Sequence, residues 1–103
     1  MQIQINSDKN IVINKRKEDY FSSLINDSLN RFDGITRVEV HLSDENSEKF
    51  GKNDKRCLVE VRMNNRQPIV VTNHSDTIEK SISGSLDKIK SKIETILGKM
   101  RNS

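Results

Sequence analysis

The stretch SISGSLDKIKSKIETILGKMR, residues 81–101, carries isoleucine or leucine at 82, 86, 89, 93 and 96. Steps of four and three residues are the period of a helix with one apolar face. At about 100° per residue, Ile78, Ile82, Leu86, Ile89, Ile93, Ile96 and Met100 fall within a sector about 80° wide, with Leu97 beside it. The two flanks differ. Ser81, Ser85, Lys88, Lys92 and Lys99 share one; Glu79, Asp87 and Glu94 share the other, with Lys90 and Arg101 among them. Small residues accompany the lysines, and Gly84 lies just beyond, so the basic flank is expected to be open to close approach by a bulky backbone.

Working outward, HSDTIE at 74–79 reads as the start of this helix. Asp76 is placed to cap it, Glu79 completes a capping-box pattern, and His74 precedes it. QPIVVTN (67–73) reads as a strand, with Pro68 at its start or on an edge. NNR (64–66) is a turn. CLVEVRM (57–63) is a strand with Cys57, Val59, Val61 and Met63 inward. ITRVEVHL (35–42) is another, with Val38, Val40 and Leu42 on one side and Arg37, Glu39 and His41 on the other. Between them, SDENSEKFGKNDKR (43–56) is a long polar hairpin connection.

Upstream, MQIQI alternates at period two, with Met1, Ile3 and Ile5 on one side. NSDKN is a polar turn. Asn14 is an N-cap for a helix from about Lys15 to Phe32, with Phe21, Leu24, Ile25 and Phe32 inward, stopped by Asp33–Gly34. The order is β-α-β-β-β-α, an α+β chain. A right-handed crossover makes the first two strands parallel neighbours, and the rest follow as an antiparallel meander. The expected architecture is a four-stranded sheet with two helices packed on one face.

The whole chain of 103 residues, 1–103, is expected to be a single domain. Its net charge of +3 is too small to identify a partner by itself. The distribution says more: residues 1–42 and 43–56 each balance to zero, and the surplus lies in the last strand region and the final helix. One cysteine, Cys57, allows no internal disulfide and suits a reducing compartment. No signal-peptide pattern and no apolar run of roughly 20 residues occurs. The expectation is a cytoplasmic protein with no membrane partner.

Catalytic and metal chemistry finds little support. His41, His74 and Cys57 have no zinc-ligand spacing, so no metal is expected. HSD at 74–76 contains triad residue types, but neighbours in sequence do not make a triad. Cys57 reads as core packing. No dinucleotide or phosphate-binding glycine loop occurs. No cofactor or small-molecule substrate is implied, and the chain is not read as an enzyme. The four aromatics, Tyr20, Phe21, Phe32 and Phe50, all lie off the strands, which disfavours base stacking on the sheet.

Two readings of the basic flank stand side by side. Lysines on a helix are ordinarily solvated surface, and helix C-termini favour cations through the dipole. Alternatively, cations on a rigid element suit phosphate contact. Lys15, Arg16 and Lys17 open the first helix, where cations oppose the dipole, a small local cost that either points to another reason for them or is simply tolerated at an exposed end.

The strand and helix order, the opening MQIQINSDKNIVIN and the closing SDTIEKSISGSLDKIKSKIE together resemble the ribosome hibernation-promoting factor family in its short form. That family is also called the ribosome-associated inhibitor or sigma 54 modulation family. The most specific part is Asp76 ahead of the last helix, then Ile78, Ile82 and Leu86, then Asp87–Lys88–Ile89 and a lysine-rich tail.

The resemblance implies a fold like a double-stranded-RNA-binding domain and a role in stress response and translation regulation. It also implies partners, the small ribosomal subunit and its ribosomal RNA, with tRNA and mRNA sites blocked near the decoding centre. By position it implies RNA contacts from Lys88, Lys90, Lys92, Lys99 and Arg101 on the last helix, and from Lys15, Arg16, Lys17 and Arg31 on the first. Departures are Ser91, where the family often has arginine, a first helix without the usual mid-helix lysine, and the long connection at 43–56. Ribosome pairing through a second domain, as in long-form relatives, is not expected from this chain alone. The alternative is a protein-interaction module of the same fold, working through the 43–56 hairpin and Phe50 without ribosome binding.

Overall fold

The computed structural model describes residues 1–45 and 54–101, with the side chains of 99–101 outside the description. The expectations for Phe50 and for the middle of the 43–56 connection therefore lie outside the described residues. The elements are β1 (Gln2–Ser7), α1 (Lys15–Leu29), β2 (Ile35–Asp44), β3 (Lys55–Met63), β4 (Ile69–Ser75) and α2 (Ile78–Arg101). The sheet order is β1-β2-β3-β4. β1 runs parallel to β2, and β2-β3-β4 is an antiparallel meander. α2 lies over β3 and β4, α1 lies against β1, and the helices touch each other.

Alternation in the strands produces this directly. Val40, Val59 and Val71 stand in register across three strands, as do Leu42, Cys57 and Asn73. Val38, Val40, Leu42, Cys57, Val59 and Val61 are buried, and Phe21, Ile25, Leu29, Ile82, Leu86, Ile89 and Ile93 cover them. Each fully buried aliphatic side chain contributes roughly 1.5–3 kcal/mol relative to exposure.

Several boundaries differ from the sequence reading. α1 starts as expected, with Asn14 Oδ1 accepting from the Lys17 amide at 2.8 Å. It ends at Leu29, not Phe32: the Asn30 amide closes on Asn26 O, and Phe32 N bonds Leu29 O. The chain must reverse into β2, and Gly34 supplies a φ of +91° for it. Phe32 is still buried, reaching the core from a turn. β4 starts later than Gln67 and continues through His74 and Ser75, so His74 belongs to a strand rather than preceding the helix. The cap of α2 is Thr77, not Asp76: the Lys80 amide donates to Thr77 Oγ1 at 3.1 Å. Asp76 instead pairs with Lys80 at 3.5 Å, and Glu79 turns towards α1. In the connection after β1, Ile11 is buried, which the polar-turn reading did not provide for. β2 and β3 stay paired as far as Asp44 and Lys55, so the hairpin connection is shorter than 43–56.

Candidate nucleic-acid interface

Tyr20 OH donates to Glu79 Oε1 at 2.9 Å, and Arg31 bonds Glu94. The start of α1 thus meets the start of α2, and the turn that follows α1 meets the later part of α2, so the helices run in the same direction. The flank of α2 carrying Glu79 and Glu94 borders α1. The opposite flank, with Lys88 and Lys92, overhangs β4, the outer strand of the sheet.

Ser81 and Ser85 do not lie on an open basic surface as their angles suggested. Both are fully buried. Ser81 Oγ donates to Ile78 O at 2.7 Å, and Ser85 Oγ sits 2.8 Å from Ser81 O and 3.1 Å from Cys57 O. Gly84 belongs to the same seam: a Cβ there would stand 2.2 Å from Asn73 Nδ2. The small residues serve the approach of α2 to its own sheet, not that of a partner.

That close seam brings the lysine stems over the sheet edge. Lys88 Nζ donates to Thr72 O at 2.9 Å and Lys92 Nζ to Val70 O at 3.2 Å. Neither ammonium has a carboxylate partner among the described residues. Each has three donor hydrogens and spends one on the carbonyl, leaving two for an anion. The arrangement fixes two cations one helical turn apart, with the β4 edge beneath them. It also covers an open strand edge, a role lysine commonly fills.

The other candidate cations fall elsewhere. Lys90 pairs with Asp87 at 3.7 Å. Arg31, besides bonding Glu94, lies over the Phe32 ring, 4.2 Å from its centre. Lys15 pairs with Asp19 at 3.0 Å, and this hydrogen bond raises its pKa above the ordinary lysine value. Arg16 and Lys17 have no carboxylate partner among the described residues. The side chains of Lys99 and Arg101 lie outside the description. The seven candidates whose side chains are described therefore form no single surface: Lys88 and Lys92 share the β4 side, while Lys15–Lys17 sit at the start of α1, across the width of α2.

Among the described residues, the remaining polar groups are not brought together as a catalytic centre. The Cys57 thiol is pushed up to about 11 by burial, which opposes its charged form. Native protein should therefore resist thiol reagents at neutral pH. Labelling should follow global unfolding in urea, and fast labelling of folded protein would contradict the buried site. His74 Nε2 lies 3.4 Å and Arg56 Nε 3.3 Å from Glu45, at the end of the β2-β3 hairpin. Among the described residues no three His, Cys, Asp or Glu side chains are grouped to hold a metal ion. No described helix is long and apolar enough to cross a membrane.

One family model matches residues 3–101, that of the sigma 54 modulation protein / S30EA ribosomal protein. The chain belongs to this family. The S30EA family consists of ribosome-associated factors and not of enzymes. No curated protein sequence matches the chain. Among solved structures, the Thermus thermophilus Protein Y N-terminal domain is similar at a TM-score of 0.73 and 18% identity, over 93% of this chain and 99% of that one. A ribosomal subunit interface protein from Coxiella burnetii is similar at 0.71 and 17%, with both chains covered in full. At these identities the likeness shows the S30EA fold alone, and the element order and mixed sheet described above match it.

Proposed function

We propose that this S30EA protein is a cytoplasmic translation inhibitor that binds ribosomal RNA of the small subunit. It occludes tRNA and mRNA sites by its bulk. The observation that carries the reading is the pair Lys88 and Lys92. Both are exposed, braced on β4 carbonyls, and free of carboxylate neighbours among the described residues. A mobile lysine on the surface loses side-chain entropy when it binds an anion; one already docked on a carbonyl has less to lose. Arg16 and Lys17 offer a second, separate contact at the start of α1. Lys99 extends the α2 contact by sequence position, whereas Arg101 falls on the opposite flank and would make a separate contact. Lys15, Lys90 and Arg31 would contribute after exchanging their carboxylate partners for phosphate, and so more weakly.

Sedimentation with purified small ribosomal subunits tests this. Binding should be tight at low salt and weaken steeply as salt rises, because each phosphate contact releases counterions. Binding independent of salt, or none at low salt, would remove the reading.

A further inference from the structure

The sequence left an oddity at the start of α1, where three consecutive cations oppose the helix dipole, and the structure adds a second beside it. Val12, at 85% exposed, and Tyr20, at 51%, are apolar groups left open to water on the same side of the molecule. Together with Ile13, Phe21, Ile78, Lys17 and Glu79 they line a cleft of about 240 Å³ between the first turns of the two helices. This is room for roughly eight waters, less than the pockets that hold drug-sized ligands. It suits one flat ring system.

We infer that this cleft receives one unstacked nucleobase of an RNA strand, laid against Tyr20, with the adjoining phosphates on Arg16 and Lys17. The inference rests on the RNA-binding reading above and adds a contact that Lys88 and Lys92 cannot supply. Three features favour this occupant. The Tyr20 ring is held from two sides, by its hydroxyl bond to Glu79 and by Phe21, whose ring centre lies 5.5 Å away at a 55° tilt. It is therefore a fixed wall with an open face, suited to stacking. The mouth is cationic: Lys17 lines it, and Arg16 is its neighbour in sequence. Finally, Glu79 gives one oxygen to Tyr20, and its other oxygen accepts no hydrogen bond among the described residues. Adenine, cytosine or guanine would donate an exocyclic amine to that oxygen; uracil has no exocyclic amine and offers only its ring N3–H. An apolar protein side chain would fill the cleft but leave both the cations and the carboxylate unanswered.

Tyr20 is the single tyrosine, and there is no tryptophan, so it reports its own stacking by fluorescence. Titration with a short single-stranded oligoadenylate should quench it. Oligouridylate should quench more weakly, and duplex RNA, whose bases are stacked away, should not quench it. Tyr20→Leu should weaken oligoadenylate binding about tenfold, while Tyr20→Phe, which keeps the ring, should stay closer to the parent. Val12→Asp is a second variant at a residue too exposed to matter for folding; it should also weaken binding and reduce quenching.

The two readings fail separately. Ribosome binding that persists without quenching, and without loss in Tyr20→Leu or Val12→Asp, overturns the base slot and leaves the phosphate reading standing; the cleft would then suit a protein side chain. Quenching by oligoadenylate without ribosome binding supports the slot and overturns the ribosomal reading. Absence of both overturns both.

Discussion

Replacing Lys88 and Lys92 together by glutamate should abolish co-sedimentation with small ribosomal subunits while leaving helix content unchanged. A hydrogen bond to a charged group contributes roughly 1.5–3 kcal/mol. Losing two such contacts weakens binding about a hundredfold or more, and two new carboxylates facing phosphate add repulsion. The fold should tolerate the exchange, because both side chains are exposed and neither is part of a carboxylate pair among the described residues. Glutamate would, however, face the Thr72 and Val70 carbonyls that now accept from the lysines. The pair Lys88→Gln and Lys92→Gln is therefore the cleaner instrument. It removes the charge while placing a neutral donor, one bond shorter in reach, near each carbonyl. Its salt dependence should flatten by about two on the log–log slope, one for each lost contact. If the double glutamate variant sediments with ribosomes as the parent does, the β4 side of α2 is not the contact face.

Much of the architecture could be read from the chain because each element shows one clear period. Val38, Val40 and Leu42 alternate, and Ile82, Leu86, Ile89 and Ile93 step by four and three, so inside and outside are assigned twice over by independent patterns. Errors came where two signals competed. Asp76 and Glu79 form a good capping pattern, yet β4 runs on to Ser75 and hands the cap to Thr77. Ser81 and Ser85 share an angular range with Lys88 and Lys92. Angle alone cannot tell that short hydroxyl side chains tuck under the helix while long amine stems reach beyond it. The same limit hid the site. That Lys88 and Lys92 dock on the edge of β4, while Lys15–Lys17 lie across α2, depends on how the helices are laid side by side. Tyr20–Glu79 and Arg31–Glu94 decide this, and both pairs are about sixty residues apart in sequence. The apolar run Ile11–Ile13 inside a polar connection was the one local sign of the cleft beside Tyr20.

The helix that carries the contact face is held on the sheet by a core residue that bears no charge. Ile89 lies between Lys88 and Lys90 and is fully buried against the sheet. Ile89→Ala should destabilise the protein by about 2–5 kcal/mol, from lost apolar transfer plus the cavity left behind. Domains of this size have a total stability of roughly 5–15 kcal/mol, so the melting temperature should fall by roughly 10–30 °C. Thermal unfolding followed by circular dichroism measures it. The effect on ribosome binding should be of another kind. Below the new transition, where the variant is still folded, Lys88 and Lys92 keep their carbonyl supports, and affinity and salt slope should stay near the parent's. Lys88→Gln with Lys92→Gln should give the mirror image, an unchanged transition with weakened binding. Ser85→Ala probes the seam between them. It removes a hydroxyl that bonds Cys57 O, at a cost of about 0.5–1.5 kcal/mol, without opening a large void. A loss below about 1 kcal/mol in Ile89→Ala would mean that the packing of α2 on β3 and β4 is not what holds the basic rail in place.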